Sequence, residues 1–363
     1  MRLLLLTILL LSQTVLSQQK YVYFPPNAMN DGLETADLRT ITQDTVRLYS
    51  LFNQLPGGDH ELHSLLVLKD GKLVLEEYLN GFDANTRQDQ RSASKSVRSL
   101  LVGIAIDQGF IESIDDPLQK YLGDLKPQKN PDPRKDQITI RDLLSMSPGW
   151  DCNDRDKSSA GQEDRIYRKK DWLQYALDLP MINDPGSVTN YCSIGTVMLM
   201  EVVERASKMP LEEFAAKYLF EPLGISNYNW GHTSKKEVST VAKRLYMTPR
   251  DMAKIGLLVL QNGQWNGQQL IPEDWIALST SEHTKIDGSG YGFLWWMTAF
   301  PGKNQKAIPG FAASGNGGQY IVIFPSENLI CVFTGGAYNS DKAGIPLLIM
   351  RDVLIPTFAN SRK

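Results

Sequence analysis

A serine and a lysine three residues apart are the first residues in this chain that could do chemistry together. Ser92 and Lys95 stand in the sequence Ser-Ala-Ser-Lys, at the start of a segment whose apolar residues recur at helical spacing. Residues three apart on a helix share one face, so the Lys95 amine can reach the Ser92 hydroxyl. A lysine works as a base only where its surroundings favour the neutral amine. The pattern alone is weak evidence, because a second copy at 17–20 arises by chance.

A tyrosine that follows a Pro-Gly turn is the second candidate. Tyr191 belongs to the segment 185–193, Pro-Gly-Ser-Val-Thr-Asn-Tyr-Cys-Ser, which precedes an apolar helical run. A phenol in an ordered loop ahead of a helix can pass a proton between a nucleophile and a leaving group. A packed loop tyrosine would give the same local pattern, so Tyr191 is informative only together with Ser92 and Lys95.

A glycine-rich segment, Ala-Ser-Gly-Asn-Gly-Gly at 313–318, is the third candidate. Its glycines would let a substrate approach an edge strand closely. The backbone N–H of Asn316 and that of Ser92, at a helix N-terminus, could together stabilise an oxyanion. A simple glycine-rich hairpin turn is the alternative interpretation of this segment.

Other kinds of site have little support in the sequence. The Gly-x-Ser-x-Gly motif is absent, and the four histidines lie in or beside polar loops or at strand edges, where we predict surface roles: His60, His63, His232 and His283. We find no convincing set of metal ligands and expect no metal or other cofactor. A net charge of −3 without a long basic run argues against nucleic-acid binding and favours a small-molecule or short peptide substrate.

Strand patterns at both ends of the chain, with helical patterns between them, predict an α+β fold. Residues 62–80 are typical of a hairpin around Asp70-Gly71, and residues 91–108 of a buried helix. Further helices are predicted for 140–146, 195–207, 211–219, 249–262 and 345–354, and strands for 292–296, 319–324 and 329–334. We therefore expect one sheet that the C-terminal segment completes, with a helical insertion.

The N-terminus is typical of a secretory signal peptide. A basic residue, Arg2, precedes the apolar run 3–11, and small residues precede a cleavage site that we predict after Ser17. The mature chain would then be secreted or periplasmic, without a stable membrane span. An uncleaved anchor is the alternative, although the run is shorter than the roughly 20 residues that a span requires.

Three cysteines, Cys152, Cys192 and Cys331, leave at least one thiol unpaired. Cys331 lies in an apolar run and is interpreted as a core thiol. Cys152 and Cys192 could form a disulfide, but their spacing in sequence cannot establish the geometry, so the pairing stays open at this point.

In this order, the three candidate segments resemble the signature of the serine β-lactamase and penicillin-binding-protein superfamily: Ser-x-x-Lys, Tyr-x-Asn and Lys/His-Thr-Gly. Within it, the chain is similar to the class C-like branch that contains esterases and 6-aminohexanoate-dimer hydrolases. The similarity covers nearly everything after residue 60 and includes the segments 138–150, 218–225, 247–254, 266–272 and 291–296.

The resemblance implies a β-lactamase/transpeptidase-like fold, an antiparallel sheet flanked by helices. It implies an N-terminal extension at 18–60 and a catalytic domain at 61–358, with a mostly helical subdomain at about 111–285. Ser92 would be the nucleophile, Lys95 its activating base and Tyr191 a proton relay, with an acyl-enzyme intermediate. Five further residues would contact the substrate: Trp150, Ser193, Tyr246, Ser314 and Gly315.

Two departures from the family pattern bear on the substrate. Ser193 stands where the family has an amide, and Ala313 stands where it has a cation that faces a substrate carboxylate. Loss of a charged hydrogen-bond partner costs roughly 1.5–3 kcal/mol, or about tenfold or more in affinity. The sequence therefore favours a cofactor-free hydrolase of esters or simple amides. A β-lactamase or D,D-carboxypeptidase is one alternative, and a non-catalytic penicillin-binding-like protein is the other.

Overall fold

The computed structural model describes residues 20–56, 58–232, 239–302 and 306–359, so the predicted signal peptide at 1–17 lies outside the described residues. The strands are β1 (Leu62–Lys69), β2 (Lys72–Tyr78), β3 (Gln88–Asp89), β4 (Asn229–His232), β5 (Lys243–Met247), β6 (Gln264–Trp265), β7 (Gln268–Gln269), β8 (Thr284–Ile286), β9 (Ser289–Tyr291), β10 (Trp296–Pro301), β11 (Ala307–Gly315), β12 (Gln319–Phe324) and β13 (Leu329–Gly335).

The helices are α1 (Val46–Gln54), α2 (Ser94–Asp107), α3 (Gln119–Leu122), α4 (Ile140–Leu144), α5 (Glu163–Ile166), α6 (Trp172–Leu177), α7 (Ser193–Ser207), α8 (Leu211–Ala215), α9 (Pro249–Leu260), α10 (Glu273–Ser279), α11 (Ile345–Ile349) and α12 (Ile355–Phe358). Helix α8 continues into a π-helical turn at Ala216–Phe220, and a second π-helical turn, Met350–Leu354, joins α11 to α12. Within the described ranges, each helix is too short or too polar to cross a membrane.

One antiparallel sheet of eight strands organises the molecule, in the order β2-β1-β13-β12-β11-β10-β9-β8. Asp70 and Gly71 both take positive φ, 51° and 80°, as a tight hairpin turn requires, and this confirms the predicted β1–β2 hairpin. Strand β13 inserts between β1 and β12, so the C-terminal segment completes the sheet as predicted.

The sheet is covered on both faces. Leu66 and Leu68 of β1 face the larger core, to which α2, α7 and α9 contribute, whereas Leu65 and Val67 face a second core that α1 and α12 cover. Such alternation along one strand, with apolar residues on both sides, is what a strand buried between two layers requires. The α+β class and the antiparallel sheet with flanking helices are therefore as predicted.

The sheet differs from the prediction at two places near the C-terminus. Residues 292–295 are not a strand: Gly292 N–H donates to Trp295 O at 2.8 Å, and Leu294 takes a φ of 65°. The apolar run there is buried without being extended, and an apolar run alone cannot distinguish the two cases. Strand β11 was not predicted, because Pro309 and Gly310 interrupt its strand pattern.

Candidate active site

Ser92 lies in a short 3-10 turn, Arg91–Ala93, that leads directly into α2. Arg91 takes a φ of 48°, and its N–H donates to the Asp89 carboxylate at 3.1 Å. A positive φ at a non-glycine residue persists only where the surroundings hold it, as the Asp89 contact does here. The first amides of a helical segment have no partner inside it, so the Ser92 N–H is available to a ligand.

The Lys95 amine contacts the Ser92 hydroxyl directly. Lys95 Nζ lies 2.9 Å from Ser92 Oγ, one turn along the same helical segment. The lysine side chain is buried, with 6% of its surface exposed, so few water molecules can compete for the amine. This geometry allows a proton to pass between the two groups without any rearrangement.

The structure brings Tyr191 to the same place. Lys95 Nζ lies 4.9 Å from the centre of the Tyr191 ring, over its face. The Tyr191 ring packs against Trp296 at 5.6 Å and Tyr291 at 6.4 Å, measured between ring centres. Ser92, Lys95 and Tyr191 thus form one contiguous group, with the amine in the middle.

A disulfide between Cys152 and Cys192 ties the loop at 150–156 to the Tyr191 segment. Cys192 is the residue between Tyr191 and Ser193, so the cross-link is attached at the centre of the second motif. The pairing that the sequence left open is therefore present. Cys331 is free and buried in strand β13, as predicted for a core thiol.

Asp154 joins the candidate site, although no sequence motif marks it. Its Oδ2 accepts the Ser193 N–H at 2.9 Å, and its own N–H donates to Tyr191 O at 2.8 Å. Burial raises the pKa of the Asp154 carboxyl to about 6, although the nearby charge of Lys95 and the hydrogen bond from Ser193 oppose the shift. A carboxyl that titrates near neutrality therefore lies beside the proposed base.

Strand β11 reaches the Ser92 turn through Gly315. A Cβ atom at this position would lie 2.4 Å from Gln90 O and 3.1 Å from Ala93 N, so only glycine permits the contact. The close approach that we predicted for a substrate is thus made by the Ser92 turn itself. Strand β11 is also not an edge strand, although residues 313–315 extend beyond its pairing with β10.

Asn316 lies at the end of β11 and lines the pocket beside Ser92 and Lys95. Its side chain is turned away to a second loop: Nδ2 donates to Asn339 Oδ1 at 2.7 Å, and Asn339 N–H donates to Asn316 Oδ1 at 2.9 Å. These bonds hold the backbone of Asn316 next to the Ser92 turn, where its N–H could assist that of Ser92.

Of the other residues predicted to contact the substrate, some line the pocket and others do not. Ser193 lines the pocket beside Ser92. Trp150 does not: it is 3% exposed, packs in the larger core and borders a separate cavity with Leu177 and Met198. The prediction that Trp150 contacts the substrate is therefore corrected, because its apolar ring is used in packing.

Two further predicted contacts lie beside the pocket and do not line it. Ser314 is opposite Tyr320 in the β11–β12 register, outside the residues that line the pocket. Tyr246 pairs with Asp89 between β5 and β3. Both predictions are corrected, since neither residue is among those that line the pocket beside Ser92.

The histidine prediction also needs a correction. His60 is buried, with Nδ1 accepting the Leu62 N–H at 2.9 Å, and His63 stacks on Phe82 at 3.6 Å. Burial lowers the pKa of the His63 imidazole. Both are structural residues: His60 is buried just before β1, and His63 is half-buried within β1. Among the described residues, no group of three acidic, histidine or cysteine side chains is placed to hold a metal ion.

Comparison with known proteins gives matches over most of the chain. A family model described as Beta-lactamase matches residues 53–344. The 6-aminohexanoate-dimer hydrolase of Paenarthrobacter ureafaciens is 24% identical over 294 residues, which cover 75% of this chain and 74% of that protein.

Two solved structures share the fold. The penicillin-binding protein from Bacillus halodurans superimposes with a TM-score of 0.63 at 18% identity, over 80% of this chain and 97% of that one. The octameric penicillin-binding protein homologue from Pyrococcus abyssi gives a TM-score of 0.64 at 18% identity, over 85% of this chain and 78% of that one. Since the family match spans most of the sequence, the chain belongs to the β-lactamase family and is a serine hydrolase of that family.

Proposed function

We propose that this hydrolase cleaves esters or simple amides of small molecules through an acyl-enzyme on Ser92. The observation that carries the proposal is the 2.9 Å contact between Lys95 Nζ and Ser92 Oγ. A serine hydroxyl becomes a useful nucleophile when a neighbouring base removes its proton as it attacks. The similarity to a hydrolase of the 6-aminohexanoate dimer supports an amide among the possible substrates.

Acylation follows from the positions of these groups. Ser92 Oγ attacks the carbonyl carbon while its proton passes to the Lys95 amine, and the carbonyl oxygen becomes an oxyanion between the N–H groups of Ser92 and Asn316. The intermediate then collapses, the bond to the leaving group breaks, and that group takes a proton from Lys95, directly or through the Tyr191 phenol. The products of this half are the acyl-enzyme and an alcohol or amine.

Deacylation repeats these steps with water as the nucleophile. A water molecule near Tyr191 and Lys95 loses a proton to this pair as it attacks the acyl carbon. Ser92 Oγ leaves and recovers its proton, and the carboxylic acid is released. Because Lys95 lies between Ser92 and Tyr191, we treat the two proton-transfer groups as a coupled unit.

The family's own β-lactam and D,D-peptide substrates fit less well. Ala313, at the position where the family has a cation, is fully buried among apolar side chains, and Ser193 is shorter than the family's amide. An ester or simple amide does not depend on either contact. We therefore favour hydrolysis of esters or simple amides over β-lactamase or carboxypeptidase activity.

A side-by-side substrate panel tests the proposal. The purified wild type and Ser92→Ala are assayed on p-nitrophenyl acetate, the linear 6-aminohexanoate dimer and nitrocefin. We expect Ser92-dependent turnover of the ester or the amide and little hydrolysis of nitrocefin. Efficient turnover of nitrocefin with neither of the others would contradict the proposal in favour of a β-lactamase.

We also propose that the chain is exported after removal of residues 1–17. The Cys152–Cys192 disulfide supports this, because such bonds persist mainly in oxidising compartments. Intact mass of the protein recovered from cell fractions would test it. A mature N-terminus at Gln18 outside the cytoplasm is expected, and an intact Met1 on a cytoplasmic protein would contradict it.

A further inference from the structure

The pocket beside Ser92 extends between α2, α7 and β5 and carries an excess of positive charge. In the part of the chain that the structure describes, its lining includes one acidic side chain, Glu163, and, apart from the base Lys95, four cationic ones: Arg91, Arg98, Lys243 and Arg244. Focused charge of one sign in a cleft attracts a ligand of the opposite sign.

Arg98 has no carboxylate partner in the described parts of the chain. Its Nη1 donates to Thr196 Oγ1 at 2.8 Å and its Nη2 donates to Lys243 O at 2.7 Å, both neutral acceptors, while Nε has no partner there. The side chain is only 7% exposed. Burial lowers its pKa to about 10, so the guanidinium still carries its charge at neutral pH. A buried cation without a counterion is costly, and an anionic ligand would offset that cost.

The rim of the pocket adds to this excess. Arg91 and Arg244 share one carboxylate, with Asp89 Oδ2 at 3.0 Å from Arg91 Nε and 3.2 Å from Arg244 Nη1. Lys243 pairs with Glu212, and Tyr167 donates a hydrogen bond to Glu163. One carboxylate cannot balance the charge of two guanidinium groups, so Arg244 can direct some of its N–H donors to a ligand.

We propose that this pocket binds a carboxylate on the substrate, held by Arg98 and Arg244. The inference rests on the proposed function and narrows it: the preferred esters and amides carry a second, anionic group away from the bond that is cleaved. The pocket cations lie on the α2–β5 side of the site and not on strand β11, so they would hold a carboxylate at a different position from the cation missing at Ala313. A guanidinium group binds a carboxylate well because its planar N–H donors match the two carboxylate oxygens.

Two esters of matched length test the proposal, mono-4-nitrophenyl adipate and 4-nitrophenyl hexanoate, which differ only in the terminal carboxylate. We expect the wild type to favour the adipate by about tenfold or more in kcat/KM, mainly through a lower KM, as a charged hydrogen bond implies. Arg244→Gln and Arg98→Gln should each reduce this preference, and Arg98→Lys should retain part of it. Arg205→Gln, on α7 and paired with Glu201 at 2.7 Å, is the matched control and should keep the preference.

The outcomes separate this inference from the proposed function. Arg98 bridges α2, α7 and β5, so Arg98→Gln could lose stability, and the more exposed rim variant Arg244→Gln then decides alone. Equal kcat/KM for both esters in the wild type, with Ser92 still labelled by a fluorophosphonate, would overturn the carboxylate pocket alone. Absence of labelling and of turnover on both esters would overturn the proposed function and this inference with it.

Discussion

Lys95 Nζ lies 2.9 Å from Ser92 Oγ and 4.9 Å from the centre of the Tyr191 ring, so one buried amine contacts both the alcohol and the aromatic ring of the site. A base in this position can exchange a proton with Ser92 or with Tyr191 at each stage of the reaction. The position also means that removal of the amine disconnects Ser92 from its proton acceptor, which gives the first prediction.

Lys95→Ala should lower turnover of p-nitrophenyl acetate by about 10²–10⁴-fold, the usual contribution of a general base. The melting temperature should change little, because the amine's described hydrogen bond is to Ser92 alone. Lys120→Ala, which removes a lysine that forms ion pairs outside the site, is the control. A loss below tenfold in the Lys95 variant would show that Lys95 is not the base.

Asp154 should make stability depend on pH. Burial raises the pKa of its carboxyl from 3.8 to about 6, so the folded state binds the proton more tightly than the unfolded state does. The resulting stabilisation is complete below pH 3.8 and is lost as the pH rises through about 6. The free energy of unfolding of Asp154→Asn minus that of the wild type should therefore be roughly 1–3 kcal/mol higher at pH 8 than at pH 4.

Denaturant unfolding of both proteins at the two pH values measures this effect. Asparagine keeps an oxygen that can accept the Ser193 N–H, so the hydrogen bond is not lost in the comparison. The exposed Asp44 gives a matched variant, Asp44→Asn, for which no such difference between pH 4 and pH 8 is expected. Equal pH dependence of Asp154→Asn and the wild type would contradict the burial argument.

Loss of the Cys152–Cys192 disulfide should weaken both the fold and the site. The bond closes a sequence separation of 40 residues, so its removal in Cys152→Ala/Cys192→Ala should cost about 2–4 kcal/mol in free energy of unfolding. Turnover should fall as well, because Asp154 and Tyr191 flank the cross-linked residues. Unchanged turnover in the double variant would show that other contacts suffice to place Tyr191.

Thiol titration checks the cysteine assignment itself. Burial strongly raises the pKa of the Cys331 thiol, which makes it unreactive in the folded protein. A thiol reagent should therefore find no reactive thiol in the native protein, one after denaturation and three after denaturation with reduction.

Gly315→Ala should damage the site through the backbone. The added methyl group would meet Gln90 O at 2.4 Å and would push β11 away from the Ser92 turn. We expect a loss of about 1–3 kcal/mol in stability and a lower kcat, since the N–H groups of Ser92 and Asn316 would separate. Gly344→Ala is the control, because a Cβ atom there meets nothing within 4 Å. Comparable kinetics for the two variants would count against the proposed role of the β11 contact.

Much of the fold was predictable because its signals are local. The hairpin at Asp70-Gly71 and helices α2 and α7 follow from turn chemistry and apolar spacing over short stretches. The segment 292–295 was wrongly predicted as a strand and β11 was not predicted, since their conformation depends on neighbours that are distant in sequence. Ser279 O, for example, accepts the Phe293 N–H at 2.9 Å.

Only those site residues that belong to a recognisable motif could be predicted from the sequence. Ser92, Lys95 and Tyr191 stand in recognisable segments, whereas Asp154 sits in a loop without any such signal and reaches the site through the disulfide. Arg98 follows Lys95 by three residues on α2 and belongs to no recognisable motif. Its meaning emerges only when the pocket between α2, α7 and β5 is assembled.

The most direct test of the central claim is to locate the residue that a fluorophosphonate modifies. Wild-type protein is incubated with the probe, and the modified peptide is identified by mass spectrometry, with Ser92→Ala as the control. A single adduct on Ser92 that is absent from the variant is the predicted result. An unmodified wild type, or an adduct that persists in Ser92→Ala, would contradict the assignment of Ser92 as the nucleophile.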